Sequence, residues 1–156
     1  MKSPIKGVII KELPVLKDER GWLLEIFRND ELAKPNQPLM AYLSSSKPGV
    51  ARGPHEHKKQ SDLFCFLGFS TFRIYLWDNR KKSSTFKQKF TFDCAQLKPT
   101  VLIVPPGVVH AYKNTGTTYG LVINAPNRLY KGSKRAQPVD EIRHEDNPQS
   151  PFKLKD

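Results

Sequence analysis

Cysteine is scarce: only Cys65 and Cys94 occur in 156 residues. With no CxxC and no second pair, neither a disulfide framework nor a zinc knot is available, and two buried free thiols are expected. Long apolar runs are missing as well. The amino terminus, MKSPIKGVIIKELPVLKDERG, holds no secretory core, and no window approaches the ~20 apolar residues of a membrane span, so a cytoplasmic protein without a membrane partner is expected. No stretch of ten or more residues carries a helical stripe; NDELAK, residues 29–34, offers one short turn capped by Asn29 or Asp30. Acidic charge is in deficit, with 15 Asp plus Glu against 26 Lys plus Arg, a net charge of +11. That excess points to an anionic partner. No RNP-like segment, helix-turn-helix pattern or zinc finger accompanies it, so a phosphorylated small molecule is expected and nucleic acid is not.

What the chain does have is punctuation. Thirteen prolines and nine glycines separate short runs rich in β-branched and aromatic residues: GVIIKEL, GWLLEIF, LFCFLG, TFRIYLW, FKQKFTF, TVLIV and YGLVIN. Such spacing predicts an all-β sandwich or barrel, and a length of 156 residues with 38% hydrophobic content supplies a core for one domain spanning 1–156. Thr71 to Trp77 alternates as a half-buried strand, with Phe72, Ile74 and Leu76 on one face. Phe69 and Ser70, after Gly68, are expected to turn a hairpin into it. Trp77, Phe72, Phe90 and Phe92 read as core. From Lys131 the chain is polar and charged, an extended or loosely helical tail over the barrel.

Two segments carry chemistry. In the first, GVARGPHEHKKQSD from Gly49, His55 and His57 are two apart and present two imidazoles on one strand face, to which the carboxylate of Asp62 can return after a turn. In the second, PPGVVHAYKN from Pro105, Pro105 and Gly107 fit a tight turn before a strand whose first inward residue is His110. On neighbouring strands of one barrel, three imidazoles would converge in its mouth. This is metal-ligand geometry or an acid/base cluster. A metal would be a first-row divalent ion (Fe, Mn, Ni, Zn or Co) held by His55, His57, Asp62 and His110, with Gln60 as the competing fourth ligand.

These segments resemble the two signature motifs of the cupin superfamily. His55, His57, Pro105, Gly107, His110 and Asn114 fall at its spacing, whereas Asp62 stands where Glu is usual and Pro99 occupies the opening glycine of the second motif. The resemblance implies a double-stranded β-helix, or jelly-roll barrel. More of the chain resembles one cupin family, the dTDP-4-dehydrorhamnose 3,5-epimerases. Asp18-Glu-Arg20-Gly21-Trp-Leu-Leu-Glu25-Ile-Phe27 is similar to its D-x-R-G-x-x-x-E-x-F opening, and Arg52 to His55 to its R-G-x-H. Trp77 to Arg80 with Ser83 to Phe86, Val104 to Tyr112, and Glu145 to Pro148 are similar to its later motifs.

That resemblance implies a homodimer acting on a dTDP-4-keto-6-deoxy sugar by proton abstraction next to the carbonyl. On it, His55 is the base, oriented by Asp146; Arg52 stabilises the enolate or the diphosphate; and Arg20 and Glu25 hold the nucleotide across the dimer interface. Arg73 and Arg80 would lie near the mouth. The chain departs from the pattern in three places. The family's active-site lysine has no counterpart, Ser61 or Asp62 standing there. Ile123 falls near its proton-donating tyrosine, which leaves Tyr119 and Tyr130 as candidates. His57 replaces its usual aromatic residue. A metal-dependent cupin, either an oxygenase or a small-molecule isomerase, and a cupin that binds a sugar or nucleotide without catalysis are the alternatives. His144 reads as a surface residue whose closeness to Asp146 leaves a site role open.

Overall fold

A computed structural model describes residues 1–94 and 97–155 of the chain. Its strands are β1 (Ile9–Glu12), β2 (Val15–Asp18), β3 (Gly21–Leu24), β4 (Tyr42–Ser46), β5 (Ala51–Glu56), β6 (Asp62–Phe66), β7 (Phe72–Asp78), β8 (Lys89–Cys94), β9 (Thr100–Val104), β10 (Val108–Asn114), β11 (Gly120–Asn124) and β12 (Ile142–Arg143). Two antiparallel five-stranded sheets, ordered β1-β9-β6-β11-β4 and β12-β5-β10-β7-β8, form the jelly roll, and β2 and β3 make a separate hairpin. Inner faces of both sheets supply one core, in which Phe64, Phe66, Leu102, Val104 and Val122 meet Phe72, Ile74, Leu76, Val108 and Tyr112. Each such side chain contributes roughly 1.5–3 kcal/mol by leaving water.

The alternation in β7 is real, but its second face is not open to solvent. Tyr75 and Trp77 pack there with Val109 and Ala111, under Phe152 and Leu154 from the end of the chain. A half-buried strand was expected; the carboxyl-terminal tail buries the other half. The tail also adds β12 to the exposed edge of β5, pairing Ile142 with Glu56 and Arg143 with His55, which closes an otherwise free edge. On the first sheet, Leu13, Leu24, Ile26 and Leu32 cover Leu63, Cys65, Val101 and Ile103, so β6 is buried along its whole length. Cys65 and Cys94 are free and buried, and burial pushes both thiols up to about 12.

Two local expectations change. Residues 67–71 do not turn a hairpin: β6 is already flanked by β9 and β11, and β7 by β10 and β8, so the chain crosses from one sheet to the other. Within 29–34 the short turn forms at residues 29–31, Glu31 N–H donating to Arg28 O at 3.2 Å, but Asp30 is held by the Arg28 side chain at 2.7 Å instead of capping it. The regular piece, a 3₁₀ turn, lies at Lys34–Asn36.

One irregularity sets the functional end of the sandwich. His110 of β10 pairs with His55 of β5, but Tyr112 pairs with Arg52, so three residues on β5 span two on β10. This bulge turns Arg52 and His55, which a regular strand would place on opposite faces, toward the same interior. Gly53 makes it possible: its φ is +82°, and a Cβ would stand 2.6 Å from the His110 carbonyl oxygen. Gly53→Ala is therefore expected to lower stability by more than about 1 kcal/mol, read as a lower urea midpoint. An unchanged midpoint would show that the bulge does not depend on glycine.

Candidate functional site

The motif histidines meet. Ring centroids of His55 and His110 are 4.4 Å apart, those of His55 and His57 5.7 Å, and those of His57 and His110 5.9 Å. Asp62 opens β6 directly beneath them, 1% exposed. Its Oδ2 lies 3.0 Å from His57 Nε2 and 3.6 Å from His110 Nε2. Its Oδ1 accepts from Gln60 Nε2 at 3.0 Å and Asn124 Nδ2 at 3.1 Å.

Backbone carbonyls orient two of the rings. His110 Nδ1 donates to Val108 O at 3.1 Å, and His57 Nδ1 bonds to the carbonyl of Asp140. The Asp140 carboxylate in turn accepts the backbone N–H groups of Lys58, Lys59 and Gln60 at 3.1, 2.9 and 2.9 Å. Both Nε2 atoms therefore point at the Asp62 carboxylate. His55 Nδ1 and His110 Nε2 are buried without a hydrogen-bond partner, and Asp62 Oδ2 is held by the ion contact with His57.

Electrostatics separates the three imidazoles. Burial lowers His57, but its bond to Asp62 and that group's charge outweigh burial and raise it to about 8. Burial likewise opposes ionisation of Asp62, yet His57 and His110 bring it down to about 2. His55 falls to about 2, first through burial and then through the neighbouring His110 and His57. Glu141 and Glu145 each lie 4.0 Å from the His55 ring nitrogens. Contacts that long do not offset desolvation, so His55 is a neutral imidazole at ordinary pH. Burial also holds His110 neutral.

Above the rings opens a cleft of about 1150 Å³, lined by Arg52, His55, His57 and Gln60 from the barrel and by residues 128–143 of the chain that follows β11. Eight Lys or Arg side chains line it against two acidic ones. Arg52, fixed by bonds to the Ser46 hydroxyl at 3.3 Å and the Ser45 carbonyl at 3.2 Å, lines the same cleft as His55.

The remaining candidates lie elsewhere. Asp146 is exposed, and Glu145 and Glu141 are the carboxylates beside His55, because the β12 pairing fixes the chain in that register. Arg73 is paired with Asp93 at 2.9 Å on β7 and β8, away from the cleft. Arg80 locks the buried Asp78 at 2.8 Å and donates to Lys6 O, a structural bracket. Arg20 sits on the β2–β3 hairpin, ion-paired with Asp18, and Glu25 lies nearby, 3.9 Å from Arg28. Tyr130 lines the cleft; Tyr119, 59% exposed, precedes β11 at the end opposite Asn124 and does not. His144 faces outward, bonded to Glu56 at 2.9 Å under Phe152.

Sequence reasoning missed Asn124, Asp140, Glu141 and Glu145, and also Tyr42, which lines the cleft. Asn124 had a signal, a polar residue ending the inward face of an apolar strand. Glu145 stood in the last motif beside the chosen Asp146, while Asp140 and Glu141 had no signal, because only the path of the tail brings them to the rings.

Residues 2–139 match a family model described as dTDP-4-dehydrorhamnose 3,5-epimerase. The chain is 37% identical over 128 residues, 81% of each chain, to the probable low-salt glycan biosynthesis epimerase Agl13 of Haloferax volcanii. It is 33% identical over 114 residues to the spore coat polysaccharide biosynthesis protein SpsL of Bacillus subtilis, covering 73% of this chain and 74% of that one. A dTDP sugar isomerase from Desulfovibrio desulfuricans superposes with a TM-score of 0.80 at 24% identity, covering 96% of this chain and 92% of that one. Among the described residues no helix is long and apolar enough to cross a membrane.

The imidazole charges give a direct prediction. Because the fold raises His57 above 6.5, its contribution to stability is full below pH 6.5 and is lost as pH rises through about 8. Asp62, held below 3.8, contributes above that value and loses its share as pH falls toward about 2. An NMR titration is expected to show His57 with a midpoint near 8 and His55 without a transition until the fold is lost in acid. Asp62→Asn should drop the His57 midpoint below 6.5; a midpoint that stays near 8 would contradict the assigned cause.

Proposed function

Because the chain belongs to the dTDP-4-dehydrorhamnose 3,5-epimerase family, we propose that its cationic cleft binds a dTDP-4-keto-6-deoxy sugar and that His55 removes a proton next to the carbonyl. The observation that carries this reading is the position of His55, whose imidazole lies on the floor of the cationic cleft with its ring 4.4 Å from that of His110. A C–H beside a ketone becomes acidic enough to lose when such a base is positioned at it and a cation meets the developing oxyanion. Arg52 is that cation. Glu141 and Glu145, each 4.0 Å from the ring, favour the imidazolium once it forms. Lys58, Lys59, Arg128 and Arg135 at the rim suit a diphosphate carrying about two negative charges.

A divalent metal is the second reading, supported by the convergence of His55, His57 and His110 nitrogens within 4.8 Å of one another. The donor set fits. His110 Nε2 is buried without a hydrogen-bond partner 3.6 Å from Asp62 Oδ2, and backbone carbonyls fix the His57 and His110 rings as they commonly do for ligands. These three residues with His55 would hold the ion, which would supply Lewis-acid stabilisation of an enolate. A third possibility, sugar-nucleotide binding without turnover, predicts no chemistry at all.

Incubation of dTDP-4-keto-6-deoxyglucose in D2O separates the three. Deuterium at C3 or C5 is expected with the wild type, falling about 10²–10⁴-fold in His55→Ala and far less in His57→Ala and His110→Ala. Equal loss in all three variants, together with loss after dialysis against a chelator, would favour the metal reading. No wild-type exchange would leave binding alone.

A homodimer is proposed as well. Leu16, Trp22 and Leu23 on the β2–β3 hairpin are 62%, 52% and 62% exposed, an apolar patch that a second copy would cover. Arg20 and Glu25 lie on or beside that hairpin and would then reach the partner's nucleotide. Light scattering should give twice 17.8 kDa, and Leu16→Asp with Leu23→Asp should give the monomer. A wild-type monomer would overturn the assignment.

A further inference from the structure

Inverting a carbon needs two groups, one to take the proton from one face of the sugar and one to return a proton to the other. We infer that Tyr42 is the proton donor opposite His55, an inference that rests on the epimerase reading above and assigns its missing second group. Three observations place Tyr42. It opens β4 directly across from Asn124 of β11, so the two side chains share the inner face of the first sheet. Asn124 bonds Asp62 beneath the imidazoles, whereas His55 projects from β5 in the second sheet. Tyr42 and His55 are therefore on facing walls, and both line the same cleft.

The other tyrosines fit less well. Tyr119 precedes β11 at the end opposite Asn124, roughly 16 Å away for five strand residues. Tyr130 stands at the rim on the chain after β11, its ring edge-on to Tyr42 at 6.4 Å and its face under Lys131 Nζ at 5.7 Å. It packs against Tyr42 and so orients it. Tyr112 is buried in the core among Phe64, Phe66 and Phe72. Burial, and then the neighbouring Tyr130, raise the Tyr42 phenol, which keeps it protonated and able to act as an acid. Asn124 Oδ1, buried and without a partner, is left to accept a sugar hydroxyl beside it.

The step balances without a co-reactant. A His55 nitrogen takes the proton, the C–H electron pair forms the C=C of the enolate, and the carbonyl π pair moves to oxygen beside Arg52. The enolate then re-forms the carbonyl as its carbon takes the Tyr42 hydroxyl proton on the opposite face. Solvent reprotonates the tyrosinate and accepts the proton from the His55 imidazolium.

The test follows deuterium in recovered dTDP-4-keto-6-deoxyglucose and in the inverted product separately, with wild type and with the Tyr42→Phe, Tyr130→Phe and Tyr119→Phe variants. Tyr42→Phe is expected to lose inverted product by about 100-fold or more, while exchange into recovered substrate stays within about threefold, because His55 still forms the enolate. Tyr119→Phe should leave both unchanged. Inverted product within about threefold of wild type in Tyr42→Phe overturns the assignment. So does the separation of exchange from inversion in Tyr130→Phe instead. Loss of both signals in Tyr42→Phe also overturns it, since the phenol would then serve binding or proton removal. No exchange with the wild type brings down the epimerase reading itself, a result distinct from all of these.

Discussion

A carboxylate without solvent sits where the two sheets meet. Asp62, 1% exposed, takes bonds from Gln60 on the preceding turn and from Asn124 on β11, and it faces His57 and His110 of the other wall. Removing one partner from such a group costs several kcal/mol, since the remaining charge is left in a medium that solvates it poorly. The whole mouth of the barrel is arranged to avoid that state. The cationic His57 offsets the charge of Asp62, and the backbone carbonyls of Val108 and Asp140 keep both neighbouring rings aimed at it.

The same arrangement divides labour among three chemically identical side chains. His57 shares the charge of Asp62 and is held cationic. His110 is fully enclosed and neutral, and His55 is neutral with a face toward the cleft. Environment alone leaves one of them both neutral and open to the cleft. A lysine in place of Asp62 would put a cation among the imidazoles; here the centre is anionic, and the positive charge has moved outward to Arg52 and to the rim formed by residues 128–143.

That rim ties structure to chemistry. The chain beyond β11 carries most of the cleft's cations, anchors the turn after His57 through Asp140, delivers Glu141 and Glu145 to His55, and ends by covering Trp77 with Phe152. Read from its composition, this stretch is a polar tail. In place, it completes an edge of one sheet, the outer face of that sheet and one wall of the site.

The all-β class, the free thiols, the inward alternation of Phe72, Ile74 and Leu76, and the meeting of His55, His57, His110 and Asp62 were all legible from spacing. Strand periodicity and the two motifs are short-range properties, written within a few residues of one another. What local spacing could not carry was decided by contacts between distant segments. The bulge at Gly53 brings Arg52 to the face of His55, and the crossing of residues 67–71 between sheets replaces a hairpin. The β12 register selects Glu145 over Asp146, and the facing of β4 and β5 sets Tyr42 opposite His55. Each depends on which strand edges remain open and which apolar faces remain uncovered, and those are fixed only once the whole chain has closed on itself.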